Sequence, residues 1–155
     1  VSWYGGFDSY IVAQEFETDI FAPSMGRKIE REDEMDIKHL PYMNWIEWMN
    51  NLSQFKYAVH LMPTQAAGTF ALNCAYHGIP CIGYRGLDTQ VKCHPQLTVK
   101  MNDLNHARRL ANKLKNDKSF YELQSETAKN NFNVFFGEEE YRYKMGKIIN
   151  GVINE

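Results

Sequence analysis

Two small residues in the middle of the chain, Gly68 and Thr69, could bind an anion. They stand at the predicted start of a helix, where unpaired backbone N–H groups and a hydroxyl favour phosphate oxygens. Gln65 and Asn73 flank them and carry amides, which both donate and accept hydrogen bonds. The same residues also fit a plainer interpretation, in which Gly68 caps a helix and the amides are ordinary polar surface groups.

Fixed cations would strengthen such an anion site, because hydrogen bonds from ionised donors to phosphate are stronger than those from neutral groups. The candidates are Arg27, Lys28, Arg85 and Lys92. Arg85 directly follows a predicted strand, which places it at the edge of a parallel sheet where ligands bind. Near the start of the chain, Gly5 and Gly6 allow a tight turn close to a ligand. Each cation also fits a role as a solvated surface charge.

Cysteines and histidines in the same region raise the question of a metal. The relevant residues are Cys74, His77, Cys81, Cys93 and His94. Zinc requires thiolates and imidazoles that converge in tetrahedral geometry. Cys74 lies instead on the apolar face of the predicted helix and Cys81 in a buried strand, where free cysteine behaves as a small hydrophobe. We therefore predict no metal site.

A β-α-β unit in the centre of the chain positions these residues. Tyr57–Met62 is an apolar run closed by Pro63, which is typical of a strand covered on both faces. The helix that follows ends at Gly78 and Pro80, and Ile79–Tyr84 is predicted as the next strand. Such a unit places the helix N-terminus at the carboxyl edge of a parallel sheet, where α/β proteins bind anionic ligands.

The rest of the chain continues the alternation and then ends in helices. Further short strands are predicted at 1–4, 19–23, 37–40 and 97–100, and further helices at 8–16, 44–55, 103–114, 119–136 and 138–152, while 87–95 is predicted to be irregular. Alternating strands and helices imply a parallel sheet with helices on both faces. We therefore predict an α/β fold, a Rossmann-like three-layer sandwich with C-terminal helices, forming one domain over residues 1–155.

Apolar spacing predicts which side of each helix is buried. Asn44 with Glu47 resembles a capping box at the start of one predicted helix. Its apolar residues recur at helical intervals and are predicted to pack in the core, with an exposed partner surface as the alternative: Trp45, Trp48, Met49, Leu52 and Phe55. In the 119–136 helix the predicted inward residues are Phe120, Leu123, Phe132 and Phe135. The last helix carries one stripe of Tyr141, Met145, Ile148, Ile149 and Val152.

One combination of residues carries a family resemblance: Pro63, Thr64, Gly68, Ala75, Gly78 and Pro80. It is similar to the donor-binding, C-terminal half of GT-B glycosyltransferases. In that family a strand ending in Pro-Ser or Pro-Thr leads into an E-x7-E segment, and the helix ends in A-x-x-G-x-P before the next strand. The two family glutamates fall on Gln65 and Asn73, so amides replace both acids.

The resemblance implies a nucleotide-sugar-binding domain of an enzyme that transfers a sugar from a nucleoside diphosphate to an acceptor hydroxyl, as in polysaccharide biosynthesis. Gly68 and Thr69 would hold the pyrophosphate, Asn73 the ribose diol and Gln65 the donor sugar. The family commonly works without a metal, so the resemblance implies no cofactor beyond the substrate.

The resemblance also implies a partner, an N-terminal acceptor-binding domain that this chain lacks. Catalytic residues would come largely from that domain, and the sequence assigns none here. We therefore expect a fragment of a two-domain enzyme that binds donor and turns it over poorly. Two alternatives stay open: a non-catalytic interaction or scaffolding module that has lost donor turnover, and an unrelated Rossmann-like binder of a phosphorylated small molecule.

Composition and charge narrow the classes of protein to which the chain could belong. The chain has 155 residues, enough to bury a core, with 44% hydrophobic and 23% charged residues. A formal net charge of −2 gives no electrostatic case for nucleic acid. No apolar run approaches the roughly 18 residues of a membrane helix, and the first residues do not show a signal-peptide pattern. Three cysteines without framework spacing favour a reducing compartment. We expect a cytoplasmic protein, with peripheral membrane association left open.

Overall fold

The structure is a computed structural model that describes residues 6–23, 32–63 and 68–153. Its helices are α1 Gly6–Ala13, α2 Trp45–Leu52, α3 Thr69–His77, α4 Asp88–Cys93, α5 Leu104–Asn116, α6 Lys118–Phe136 and α7 Glu138–Ile153. Its strands are β1 Phe21–Pro23, β2 Lys38–Leu40, β3 Ala58–His60, β4 Cys81–Tyr84 and β5 Thr98–Val99. The strand predicted at 1–4 lies outside the described residues.

Parallel pairing joins these strands into two small sheets. β3, β4 and β5 lie side by side in that order, with Ala58 opposite Cys81 and Gly83 opposite Thr98. β1 and β2 form a separate parallel pair. The predicted α/β class and parallel pairing are therefore confirmed, although each described strand has four residues or fewer.

Helices α1 and α5 pack on one face of the three-stranded sheet. Successive strand residues point to opposite faces, so Ile82 and Tyr84 of β4 share a side with Leu61, just beyond β3. These side chains form one core cluster, made of Val12, Phe16, Leu61, Ile82, Tyr84, Leu97, Val99, Ala107, Ala111 and Leu114. α1 and α5 contribute small or branched residues to it, which lets both helices approach the sheet closely.

Helices α2 and α3 pack on the opposite face. Their core cluster consists of Leu52, Ala58, Ala71, Cys74, Ile79 and Cys81. The capping box predicted at the start of α2 is confirmed, since Asn44 Oδ1 accepts from Glu47 N at 3.0 Å and Glu47 Oε2 accepts from Asn44 N at 2.9 Å. Gly78 ends α3 in the left-handed conformation (φ 70°), as its position in the sequence predicts.

Helix α4 corrects the prediction of an irregular 87–95 segment, and buried polar groups anchor it. Gln90 and His94 are each 1% exposed. Gln90 Nε2 donates to Cys81 O at 2.9 Å, while His94 accepts from Cys81 N at 3.4 Å and bonds Ala71 O at 3.0 Å. Since an amide and an imidazole hold the helix, apolar periodicity did not reveal it.

Helix α6 crosses the amino edge of the three-stranded sheet. Its Tyr121 hydroxyl donates to Lys56 O at 3.3 Å, and its Ser125 hydroxyl donates to Gly78 O at 2.6 Å. Those carbonyls belong to the segments that lead into β3 and β4. The helix therefore packs at the edge opposite to the one where the candidate site residues were predicted.

Several predicted inward residues are exposed. In α2, Trp48 and Leu52 pack in the core as predicted, but Trp45 is 61% exposed. In α6, the prediction is wrong for Leu123 and Phe135, which are 51% and 40% exposed. The stripe on α7 is likewise open over its described side chains, Tyr141, Met145, Ile148 and Ile149. Within the described residues, no helix combines the length and the apolar character needed to cross a membrane.

Candidate functional site

Two helices begin at the carboxyl end of β3, one on each face of the sheet. Ser9, in the first turns of α1, accepts a hydrogen bond from Leu61 N at 3.0 Å, which ties α1 to the residue after β3. α3 starts a few residues later at Thr69 and packs on the other face. In α/β proteins, helices that leave a sheet on opposite faces create a crevice at the carboxyl edge, where ligands bind.

Gly68 lies at this edge but is tightly packed. Thr89 Oγ1 donates to Gly68 O at 2.8 Å, and a Cβ added to Gly68 would collide with that hydroxyl. The φ of Gly68 is −77°, so close approach rather than backbone conformation requires the glycine. Thr69, the next residue, is exposed. The N-terminus of α3 therefore presents an accessible hydroxyl beside a backbone that is held in place by the first turn of α4.

Asn73, the residue to which the family resemblance assigns the ribose diol, is turned toward α2. It is 7% exposed. In the amide orientation that satisfies both of its atoms, its oxygen accepts from Trp48 Nε1 at 3.2 Å and its nitrogen donates to Thr69 O at 3.0 Å. The side chain thus joins α2 to α3, and these bonds occupy its oxygen and one of its N–H groups.

Arg85 emerges at the carboxyl end of β4, as the sequence predicts. Its side chain is exposed, while its backbone N–H donates to Val99 O at 2.7 Å and continues the pairing with β5. The backbone of Arg85 is therefore held at this edge, and its side chain is exposed to solvent. Among the described residues it forms no ion pair.

Asp8 and Tyr84 form a contact that the sequence analysis missed. The Tyr84 hydroxyl donates to Asp8 Oδ2 at 2.9 Å, joining the first turn of α1 to the last residue of β4. Burial and the Asp8 carboxylate raise the pKa of the Tyr84 phenol, and a backbone hydrogen bond from Asn102 acts in the opposite direction. The phenol therefore stays protonated and holds the carboxylate at the carboxyl edge.

His60 is a second residue that sequence reasoning passed over. It ends β3 and contacts Phe70 of α3, with ring centroids 5.2 Å apart. Its Nδ1 is buried and has no hydrogen-bond partner, and burial lowers the pKa of the ring. His60 interrupts the otherwise apolar predicted strand Tyr57–Met62, and this was a signal that could have drawn attention to it.

The described residues give no support to a metal centre. Cys74, Cys81 and Cys93 are free and buried, and burial raises the pKa of the Cys74 and Cys93 thiols. Both ring nitrogens of His94 already have backbone partners. Across the described part of the chain, no group of three or more histidines, cysteines and acids could hold a metal ion.

Some of the predicted site residues lie at the same edge of the sheet, and others lie outside the described residues. Gly6, which begins α1, lies with Gly68, Thr69 and Arg85 at the carboxyl edge. Asn73 is directed toward α2. Gly5, Thr64, Gln65, Arg27 and Lys28 lie outside the described residues. Lys92 lies in the last turn of α4 and pairs with Asp88, the first residue of that helix, at 3.4 Å.

Comparison with known proteins yields no relative: no family model, curated protein or solved structure matches the chain.

Proposed function

We propose that the chain is a Rossmann-like, nucleotide-sugar-binding domain of a GT-B glycosyltransferase, which transfers a sugar from a nucleoside diphosphate to an acceptor hydroxyl. The observation that carries the proposal is the start of α1 and α3 on opposite faces at the end of β3. The family resemblance of the 63–80 segment supports the same function.

Each candidate residue has a role in this proposal. The N–H groups of the first turn of α3, which the Gly68 N-cap leaves without a side-chain cap, and the Thr69 hydroxyl would bind the diphosphate at the positive end of the helix. Arg85 would neutralise the charge that develops on the diphosphate as the glycosidic bond breaks. The acceptor would bind to a separate domain. In this proposal the present chain binds the donor and stabilises the leaving diphosphate.

Calorimetric titration with UDP, GDP, UDP-glucose and GDP-mannose tests the proposal. We expect saturable binding of one nucleotide type, and about tenfold weaker binding in Arg85→Ala because a charge-assisted hydrogen bond contributes roughly 1.5 kcal/mol or more. Arg109→Ala is the matched control, since Arg109 is exposed on α5. Failure of the wild-type chain to bind any of the four probes, or equal losses in the two variants, would contradict the proposal.

A second function, an interaction module without donor turnover, is favoured by the surface of α7. Tyr141, Ile148 and Ile149 are 63%, 60% and 51% exposed and follow one stripe of that helix. Exposed apolar residues in a continuous stripe are typical of surfaces that contact another domain or chain. The two functions use different faces of the molecule and are therefore compatible. A domain that binds donor at the carboxyl edge would also present the α7 stripe to a partner.

A further inference from the structure

The N-termini of α1 and α3 differ in charge, although both lie at the end of β3. The first turn of α3 contains no acidic residue, whereas that of α1 contains Asp8. A carboxylate at the start of a helix offsets the positive end of the helix dipole and repels a second anion. The diphosphate should therefore bind at α3 and Arg85, and the α1 side should bind groups that donate hydrogen bonds.

Asp8 is fixed in a geometry suited to such groups. Tyr84, which is 2% exposed, donates to Asp8 Oδ2 at 2.9 Å. A carboxylate offers about four lone-pair sites on two oxygens, and within the described parts of the chain the bond from Tyr84 is the one side-chain hydrogen bond that Asp8 accepts, which leaves acceptor sites for a ligand. Asp8 is half-buried, and a hydrogen bond to a partly desolvated carboxylate is stronger than one to a fully solvated group.

Other acceptors near this edge already have structural roles. The Asn73 oxygen accepts from Trp48 Nε1 in the orientation that satisfies the amide. Asp103 Oδ1 accepts from His106 N and caps α5. Asp88 pairs with Lys92 across one turn of α4. Asp8 and Asp103 are both partly buried, but of these side chains Asp8 alone is oriented by a buried side chain of the sheet.

We propose that Asp8 is the hydroxyl-recognising carboxylate of the donor site and accepts hydrogen bonds from a vicinal diol of the bound nucleotide sugar. This inference depends on the proposed donor-binding function. The diol belongs either to the ribose or to the transferred sugar, because both offer adjacent hydroxyl donors. Tyr84 acts through Asp8 and is a positioning residue.

Binding of matched probes to Asp8→Asn tests the inference. The amide oxygen can still accept from Tyr84, but the group presented to the ligand becomes an N–H donor. If the diol is on the ribose, the wild type should prefer UDP over 2′-deoxy-UDP, or GDP over 2′-deoxy-GDP, by about tenfold, and the variant should lose that preference. If it is on the sugar, the affinity ratio of UDP-glucose to UDP, or of GDP-mannose to GDP, should fall about tenfold in the variant.

The outcomes separate this inference from the proposed function. No binding of any probe by the wild type rejects both. Binding by the wild type, with both affinity ratios unchanged in Asp8→Asn, rejects the role of Asp8 and leaves donor binding intact. A uniform loss for all probes would indicate a purely structural contact with Tyr84 and also rejects that role. Asp88→Asn, which changes an exposed carboxylate, is the matched control and should leave both ratios unchanged.

A second variant guards against misfolding. Asp8→Ser removes the charge and shortens the side chain while keeping a hydroxyl in the first turn of α1, where serine is well tolerated. It should lose the same affinity ratio as Asp8→Asn. Thermal unfolding of each variant, measured beside the titrations, distinguishes a changed ratio in a folded protein from loss of the fold.

Discussion

The ring of His94 is neutral because of the two backbone groups that surround it. The N–H of Cys81 requires an acceptor, so Nδ1 carries no proton and Nε2 donates to the Ala71 carbonyl. A proton added to Nδ1 would face a donor and would place a charge in the core. Burial accordingly lowers the pKa of His94 to about 4.

We predict that the chain loses stability as pH falls below neutrality. An unfolded histidine titrates near pH 6.5, so between about 6.5 and 4 the unfolded chain binds a proton that folded His94 refuses. The stability that neutral His94 contributes to the folded state is therefore complete above this pH window and decreases as pH falls through it. Urea unfolding should show a loss on the order of 2 kcal/mol between pH 7 and pH 4.5.

Replacement of His94 tests whether its ring causes the loss of stability at acidic pH. His94→Asn retains an acceptor for Cys81 N and should flatten the pH dependence, although it lowers stability at pH 7. His60 and His77 also have pKa values lowered by burial and should leave a residual slope. His106→Asn is the comparison variant. Equal slopes for the wild type and His94→Asn would show that another group causes the acid sensitivity.

At the scale of elements, the start of α3 is locked against the first turn of α4. Gly68 and Thr89 are in direct contact, and Leu87 lies 3.3 Å from the position of a Cβ on Gly68. A larger residue at 68 therefore changes helix packing as well as any ligand site. Loss of binding in such a variant would not by itself identify a donor site.

We predict that Gly68→Ala lowers the free energy of unfolding by about 1 to 3 kcal/mol, because a methyl group is forced into a filled space. Combining it with Thr89→Ala should cost less than the sum of the single changes, since the second change removes the colliding hydroxyl. Urea unfolding of the wild type, the two single variants and the double variant gives the coupling free energy between positions 68 and 89. Strict additivity would mean that the two helices adjust independently.

Local signals predicted the elements that follow regular rules. Gly78 ended α3, and Asn44 with Glu47 began α2, because capping depends on residues close together in the chain. Helix α4 escaped prediction because Gln90 and His94 are held by partners on β4 and α3. Those bonds depend on how distant segments pack, and no periodic pattern records them.

On the scale of the whole molecule, covered and open surfaces are unequally distributed. α6 crosses the amino edge of the three-stranded sheet, where Tyr121 and Ser125 bond to its connecting segments. Exposed Thr69 and Arg85 lie at the carboxyl edge. α7 extends beyond α6 with its apolar stripe open. The carboxyl edge that we propose to bind the donor is therefore separate from the exposed apolar stripe of α7.

We predict that two isoleucines of the same size differ sharply in their effect on stability. Ile82 is fully buried in β4, so Ile82→Ala should cost about 2 to 5 kcal/mol. Ile148 on α7 is 60% exposed, so Ile148→Ala should change stability by less than about 0.5 kcal/mol. Urea unfolding at several protein concentrations measures both. A large, concentration-dependent loss for Ile148→Ala would show that a second copy covers the stripe in solution.

The sequence by itself determined the α/β class, the β-α-β unit between Tyr57 and Tyr84 and the closing helices, because apolar periodicity and stop signals are local. Only the tertiary structure decided which hydrogen-bond partners the polar side chains have. It committed Asn73 to Trp48 and placed Asp8 against Tyr84, 76 positions away in the chain. Contacts between distant segments arise when helices and strands pack together, so residue spacing alone contains no record of them.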